Sequence, residues 1–426
     1  MDFLKLIKDF QICDCGAKHE CNLKDVRVGS GIISKTGEIL LSNGFKKNLL
    51  LVADKNTLKA SSGIEDYLSS FNLTKLVYEN LRVATMPEVE KIEKLVEDNN
   101  IDGILSVGSG SLNDICRLSS YRKNVPLCIF ATAPSMDGFA SDTAPIVDNC
   151  FKVSYTAKTP EVIVADTKIL AKAPKELKSA GFGDMIAKYV ALIDWKVSNI
   201  ISSEPYCERV AKLTRDAVDS LVKLADKVTV EDEECAGKIF ESLLLTGIAM
   251  SFTKNSRPAS GTEHVMAHYL DCKELLENKI PNFHGDDVGV CTLIMLKLYN
   301  YLLTVDKISC HKENTDWDKV RAVYGELSED MMKLNTPDTI TDSIDPKLLE
   351  EKFNEIKQII RSVPNYYEVY EYMKKAGCKL DFKQTGKSKE FIRECFIYHP
   401  YMRRRLSLKR LLNMTDFDVN SFDYEN

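Results

Sequence analysis

Gly103-Ile104-Leu105-Ser106-Val107-Gly108-Ser109-Gly110-Ser111-Leu112-Asn113-Asp114-Ile115-Cys116-Arg117-Leu118 decides how the chain folds. A short β-rich run ends in two glycines and passes directly into helical spacing. Glycines at that point permit close approach of a backbone, and the helix N-terminus offers amide hydrogens and a partial positive charge to a phosphate. A glycine pair by itself also fits a tight turn without ligand. The spacing is not the Gly-x-Gly-x-x-Gly of the usual dinucleotide fold.

Outward from this stretch the same alternation repeats. Leu49-Leu50-Leu51-Val52, Leu127-Cys128-Ile129-Phe130 and Val162-Ile163-Val164 read as further strands. Pro87 to Asn99 has Pro near its start and Val89, Ile92 and Val96 at helical spacing, which predicts a crossover helix. The region from Asp25 to about Asp166 therefore predicts a parallel sheet covered by helices. Beyond it the strand signals fade and amphipathic helical spacing continues to about Met414. The expected organisation is an α/β domain over residues 1–167 and an all-helical domain over 168–426.

Composition bounds the function. At 426 residues, 44% hydrophobic and 28% charged, the chain can bury a large core. Lys+Arg of 57 against Asp+Glu of 63 gives a net charge of -6, with no block of one sign, so no nucleic-acid partner is expected. The most basic run, Arg403-Arg404-Arg405 with Lys409 and Arg410, has interleaved leucines and reads as a packed surface helix. The uncharged stretches Asn124 to Met136 and Ser242 to Thr253 fall short of the ~20 residues that cross a bilayer. Met1-Asp2-Phe3-Leu4-Lys5 lacks a secretory pattern, and 13 cysteines suit reduced thiols, so a cytoplasmic location is expected.

Three of the chain's 6 histidines fall close together. His264 and His268 are four apart and share one helix face, and His284 follows in Phe283-His284-Gly285. A catalytic metal needs three protein ligands from different elements and a free position for substrate. A carboxylate would complete the set, and Asp184 in Gly181-Phe182-Gly183-Asp184 is one candidate among many. Chance clustering of core and surface histidines is the alternative. Cys13-x-Cys15-Gly16-x-x-His19-x-Cys21 offers four soft ligands for structural zinc, or a hairpin of free thiols. Asp54 closes the strand that begins at Leu49. It could accept bonds from a ribose diol, which leans toward NAD, or cap a helix, while Lys55 leaves NADP open.

Taken together, Val107-Gly108-Ser109-Gly110-Ser111-x-x-Asp114, Thr132-Ala133-Pro134-Ser135-Met136-Asp137-Gly138, Gly181-Phe182-Gly183-Asp184, Ser256-Arg257-Pro258-Ala259-Ser260-Gly261-x-Glu263-His264 and Phe283-His284-Gly285 resemble, in order, the motifs of the sn-glycerol-1-phosphate dehydrogenases. That family lies within the dehydroquinate synthase-like and iron-containing alcohol dehydrogenase superfamily. The resemblance implies an oxidoreductase that reduces dihydroxyacetone phosphate with NADH or NADPH and one divalent ion of zinc, nickel or iron. It implies that the α/β domain binds the nucleotide and that the helical domain carries metal and substrate, with Asp184, His264 and His284 as metal ligands. Gly108, Gly110, Ser111 and Asp114 would hold the cofactor, with Thr132 and Ser135 lining its nicotinamide pocket. Asp137, Ser141, Lys188 and His268 would face the substrate, Ser141 on the cofactor side, with His268 and Lys188 catalytic. Lys188 and Arg257 are the cations expected at the substrate phosphate. A homodimer is implied too. Ser109 stands where the superfamily loop commonly has glycine. A glycerol dehydrogenase, a dehydroquinate synthase-like lyase and a non-catalytic metal-binding protein are the rival readings.

Overall fold

Runs of apolar residues unbroken by charge make the buried centre of the fold, because strands covered on both faces have no solvent side to alternate toward. The computed structural model of the chain describes residues 1–419 and 421–424. Helix α1 (Phe3–Phe10) precedes strand β1 (Asp25–Gly29), helix α2 (Thr36–Ser42), strand β2 (Asn48–Asp54) and helix α3 (Lys55–Ala60). There follow β3 (Asn72–Tyr78), α4 (Met86–Asp98), β4 (Gly103–Gly108), α5 (Ser111–Lys123) and β5 (Leu127–Ala131). A hairpin of β6 (Thr143–Asp148) and β7 (Phe151–Thr156) then leads to β8 (Val162–Asp166).

Six strands form one sheet in the order β1-β8-β5-β4-β2-β3, every pair parallel. The chain runs from β2 outward to β3 and returns to β4 on the other side of β2. The loops after β2 and β4 therefore diverge, and such a switch point leaves a crevice at the carboxyl ends of the strands. Asp54 and Gly108 end the two strands that flank it.

Beyond Asp166 the described chain is helical: α6 (Thr167–Lys172), α7 (Lys175–Ile186), α8 (Lys188–Ser202), α9 (Glu208–Leu221), α10 (Glu233–Thr253), α11 (Thr262–Leu276) and α12 (His284–Leu302), then further helices between Trp317 and Leu411. Helix α10 is long and apolar enough to cross a membrane, although its uncharged stretch is short, but 89% of its apolar window is buried inside the protein. It is the central helix of the helical half.

The structure departs from the sequence reading in several elements. Strand β3 and the hairpin were not legible as strands. β3 is the sheet edge and alternates half-buried with exposed residues, and the hairpin pairs apart from the main sheet. The basic C-terminal run is not a surface helix. Lys409 and Arg410 lie in the short helix Leu408–Leu411 and are fully buried, with Arg410 Nη2 3.0 Å from Glu313. Arg404 alone of the run reaches an exposed partner, Asp338.

Candidate active site

Glycines set the positions of the site's elements. A Cβ at Gly181 would collide with the Pro134 carbonyl oxygen, and one at Gly285 with that of Ala180. A Cβ at Gly183 would strike the carbonyl of Gly285. Helix α7 can thus lie directly against the strand-end loop 132–138 and the start of α12. Asp184 on α7 and His284, the first residue of α12, are brought into one place by these contacts. His264, in the first turn of α11, completes the group.

The ligand atoms of Asp184, His264 and His284 all lie within 4.8 Å of one another. Asp184 Oδ1 is 3.3 Å from His264 Nε2, and the rings of His264 and His284 are 5.3 Å apart. Glu263 Oε1 lies 2.6 Å from His264 Nδ1 and fixes the ring so that Nε2 faces the centre; against burial, the bonds to Asp184 and Glu263 raise the His264 pKa, and a cation at Nε2 would take the place of a proton. Burial holds His284 neutral, and its buried Nδ1 has no hydrogen-bond partner. Burial alone would raise the Asp184 carboxyl, but Lys188 and His264 hold it well below the usual carboxylate range. One carboxylate and two imidazoles, one with an unmatched nitrogen, fit a divalent ion of the zinc, nickel or ferrous class.

A cleft of about 590 Å³ runs from Asp54 and Gly110 at the strand ends to His264, His268 and His284. Gly110 precedes α5 with φ +48°, a backbone that side chains rarely adopt, and a Cβ there would meet no protein atom within 4 Å. Ser111, Asp114, Ser135, Asp137 and Ser141 also line this cleft. Ser135 and Ser109 share a hydroxyl bond of 3.0 Å, and Ser111 donates to the Arg82 carbonyl. Burial raises the Asp114 carboxyl to about 6, against the opposing charge of Arg117, 2.8 Å away. Gly108 and Thr132 are not on the cleft wall. Gly108 packs against Leu112, and Thr132, itself buried, donates its N–H to the Gly108 carbonyl.

Three expectations are corrected. Arg257 does not line the cleft: its guanidinium is buried, with Nε 2.7 Å from Glu204 and Nη1 2.8 Å from the Leu406 carbonyl. Lys188 is not a free cation either. It lies fully buried behind the cleft, 2.6 Å from both Asp137 Oδ2 and Asp184 Oδ1, where it offsets two carboxylates. Asp54 caps α3 through the Thr57 N–H, accepts from the Leu81 N–H at 3.4 Å and borders the cleft, so the cap reading is met and its carboxylate keeps acceptor sites toward the cleft. Among the soft ligands, Cys13, Cys15 and His19 converge, but Cys207 takes the place given to Cys21.

Other groups were not singled out. Lys152 on β7 lines the cleft beside His268 and pairs with Asp271 at 3.1 Å. Arg403 bonds the Lys152 and Met402 carbonyls and lies over the Phe151 ring, 5.8 Å from its centroid. Asp271 was findable in principle, because 264, 268 and 271 follow one helix face. Lys152 gave no such signal, since its hairpin was not legible.

A family model described as iron-containing alcohol dehydrogenase matches residues 27–174, the part that holds the sheet and the strand-end side of the cleft. The fold is that of a Red Sea brine pool archaeal alcohol dehydrogenase, with TM-score 0.63 over 93% of this chain and 97% of that one at 15% identity. A probable glycerol dehydrogenase from Sinorhizobium meliloti gives TM-score 0.57 over 80% of this chain and 98% of that one at 20% identity. In sequence the chain is 31% identical to the glycerol-1-phosphate dehydrogenase (NAD(P)+) of Pyrococcus furiosus, over 77% of this chain and 88% of that protein. It is 27% identical to the Bacillus licheniformis protein of the same name, over 95% and 93%. The chain belongs to the glycerol-1-phosphate dehydrogenase family.

Proposed function

We propose that this chain reduces dihydroxyacetone phosphate to sn-glycerol 1-phosphate with NADH or NADPH, using a divalent ion held by Asp184, His264 and His284. The observation that carries the reading is the convergence of these three side chains at the end of a cleft whose other end is the glycine-led N-terminus of α5. When bound, the ion would polarise the substrate carbonyl and the reduced nicotinamide would supply hydride. The amides at Gly110 and Ser111, with the dipole of α5, suit the cofactor diphosphate. Ser135, Ser141 and Asp137 border the space between that loop and the histidines, where nicotinamide and substrate would meet. Lys188 holds Asp137 and Asp184 in place from beneath and is a positioning residue.

His268 is kept neutral by burial and by the charges of Lys152 and Arg403. A neutral imidazole relays a proton through its two nitrogens: one gives a proton to the product oxygen while the other takes one from water. Lys152, with Arg403 behind it, is the cation suited to the substrate phosphate, in place of Lys188 and Arg257. The reading includes residues 1–167 as nucleotide domain, 168–426 as metal and substrate domain, and a homodimer in the cytoplasm, a reducing compartment that suits 13 free cysteines.

The test is oxidation of NADH and NADPH in the presence of dihydroxyacetone phosphate, dihydroxyacetone or glycerol, with metal measured on the same sample. Preferred use of the phosphorylated ketone supports the assignment. Equal use of both ketones points to a glycerol dehydrogenase, and turnover without net nucleotide consumption points to a lyase of the dehydroquinate synthase type.

A further inference from the structure

Outside the cleft lining, Cys13, Cys15, His19 and Cys207 bring their ligand atoms within 4.8 Å of one another. Cys13 Sγ is 3.6 Å from Cys207 Sγ, and His19 Nε2 is 3.2 Å from Cys15 Sγ and 3.3 Å from Cys207 Sγ. With Zn–S near 2.3 Å and Zn–N near 2.0–2.1 Å, a tetrahedral site has S···S edges of about 3.8 Å and S···N edges of about 3.5 Å. The observed separations are close to those edges.

A second observation concerns the histidine. His19 is 1% exposed, and its Nδ1 lies 3.0 Å from the Phe252 carbonyl, to which it donates. The remaining nitrogen, Nε2, then presents one lone pair to two sulfurs. As thiols, both could not donate to that single pair; as thiolates around a cation, all three sulfurs and the nitrogen are satisfied together. A backbone carbonyl that fixes the tautomer of a ligating histidine is the usual support of a metal site. The chain turns back just after the paired cysteines at Gly16, φ +77°, whose N–H bonds the Cys13 carbonyl.

We propose that these four residues bind a structural zinc ion. Three thiolates and an imidazole are the soft donor set of closed zinc sites, and four protein ligands leave no position for substrate. The ion would clip the N-terminal segment to the helical half. Phe10 of α1 stacks on Phe252 at 4.8 Å, and Arg209 of α9 bonds the carbonyls of Asp9 and Ile12. Cys207 directly precedes α9, and Phe252 lies at the end of α10, just before the Ser256–Ser260 stretch that borders the cleft.

The test uses the full-length protein, expressed with zinc and purified under reduction without chelator, with metal content measured and cobalt(II) substituted for zinc. Two ions per chain are expected in the parent and in Cys21→Ser, and one in Cys15→Ser, Cys207→Ser and His264→Ala. Cobalt retained by His264→Ala should show thiolate-to-metal charge-transfer absorption that Cys15→Ser lacks. Cys15 is exposed, so its serine variant remains informative if Cys207→Ser does not fold. Metal content and cobalt spectrum unchanged in Cys15→Ser would overturn the proposal. Loss of thiolate absorption with an unaffected His264 variant would support it and count against the catalytic assignment alone.

Discussion

Lys152, the cation proposed for the substrate phosphate, comes from a hairpin, whereas the motifs point to Lys188 and Arg257. Position in the cleft favours Lys152, which borders it even though paired with Asp271, whereas Lys188 is buried 2.6 Å from two carboxylates and Arg257 is held by Glu204 and a carbonyl. Removing a charge-assisted contact costs roughly 1.5–3 kcal/mol. Lys152→Ala should therefore raise KM for dihydroxyacetone phosphate about 10- to 100-fold while dihydroxyacetone is used almost as before, as steady-state kinetics would show. Arg257→Ala should leave KM near the parent value. It should instead lower stability by about 1–3 kcal/mol in denaturant titration, since Glu204 loses its partner. The three metal-ligand candidates were legible because their motifs resemble a family, not because spacing ranks them. His264 and His268 share a helix face, and only the structure shows Glu263 bonded to His264 Nδ1.

Elements are placed by the glycines that let backbones touch. Gly285→Ala would drive a methyl group into the Ala180 carbonyl and push α12 off α7, separating His284 from Asp184. Lost metal and a lower Tm should appear together in that variant. Gly110→Val has a different expected outcome. The surrounding space is open, so the side chain would extend into the cleft at the α5 N-terminus and strain a backbone at φ +48°. Nucleotide titration should show a large rise in Kd with metal content retained; an unchanged Kd would take this loop out of the cofactor site. The central strands were legible because their apolar runs are unbroken. β3 and the β6-β7 hairpin were not, because an edge strand and an isolated hairpin expose half of their residues.

Across the whole molecule, long-range contacts were the least legible feature, since no local pattern tells that Cys207 joins a cluster 188 residues away. His399 is another such tie. It is fully buried, and its ring links the Cys395 carbonyl at 2.8 Å to the Thr262 hydroxyl at 2.9 Å, at the start of the helix that carries His264. Burial, helped by the charge of Lys409, lowers its pKa to about 3. The unfolded chain thus takes up this proton first as pH falls below the ordinary histidine value, and stability contributed by the neutral ring is lost progressively from about 6.5 toward 3. The slope is at most about 1.4 kcal/mol per pH unit. Tm measured from pH 7 to 4.5 should fall less steeply in His399→Gln than in the parent. The catalytic assignment is tested most directly by metal content and dihydroxyacetone phosphate-dependent NADH oxidation, measured on the same samples of four variants. Asp184→Ala, His264→Ala and His284→Ala should each lose the cleft ion and turnover, while His268→Ala should keep the ion and slow by ~100-fold or more. A metal-replete, active His264→Ala beside a metal-free His268→Ala would contradict it.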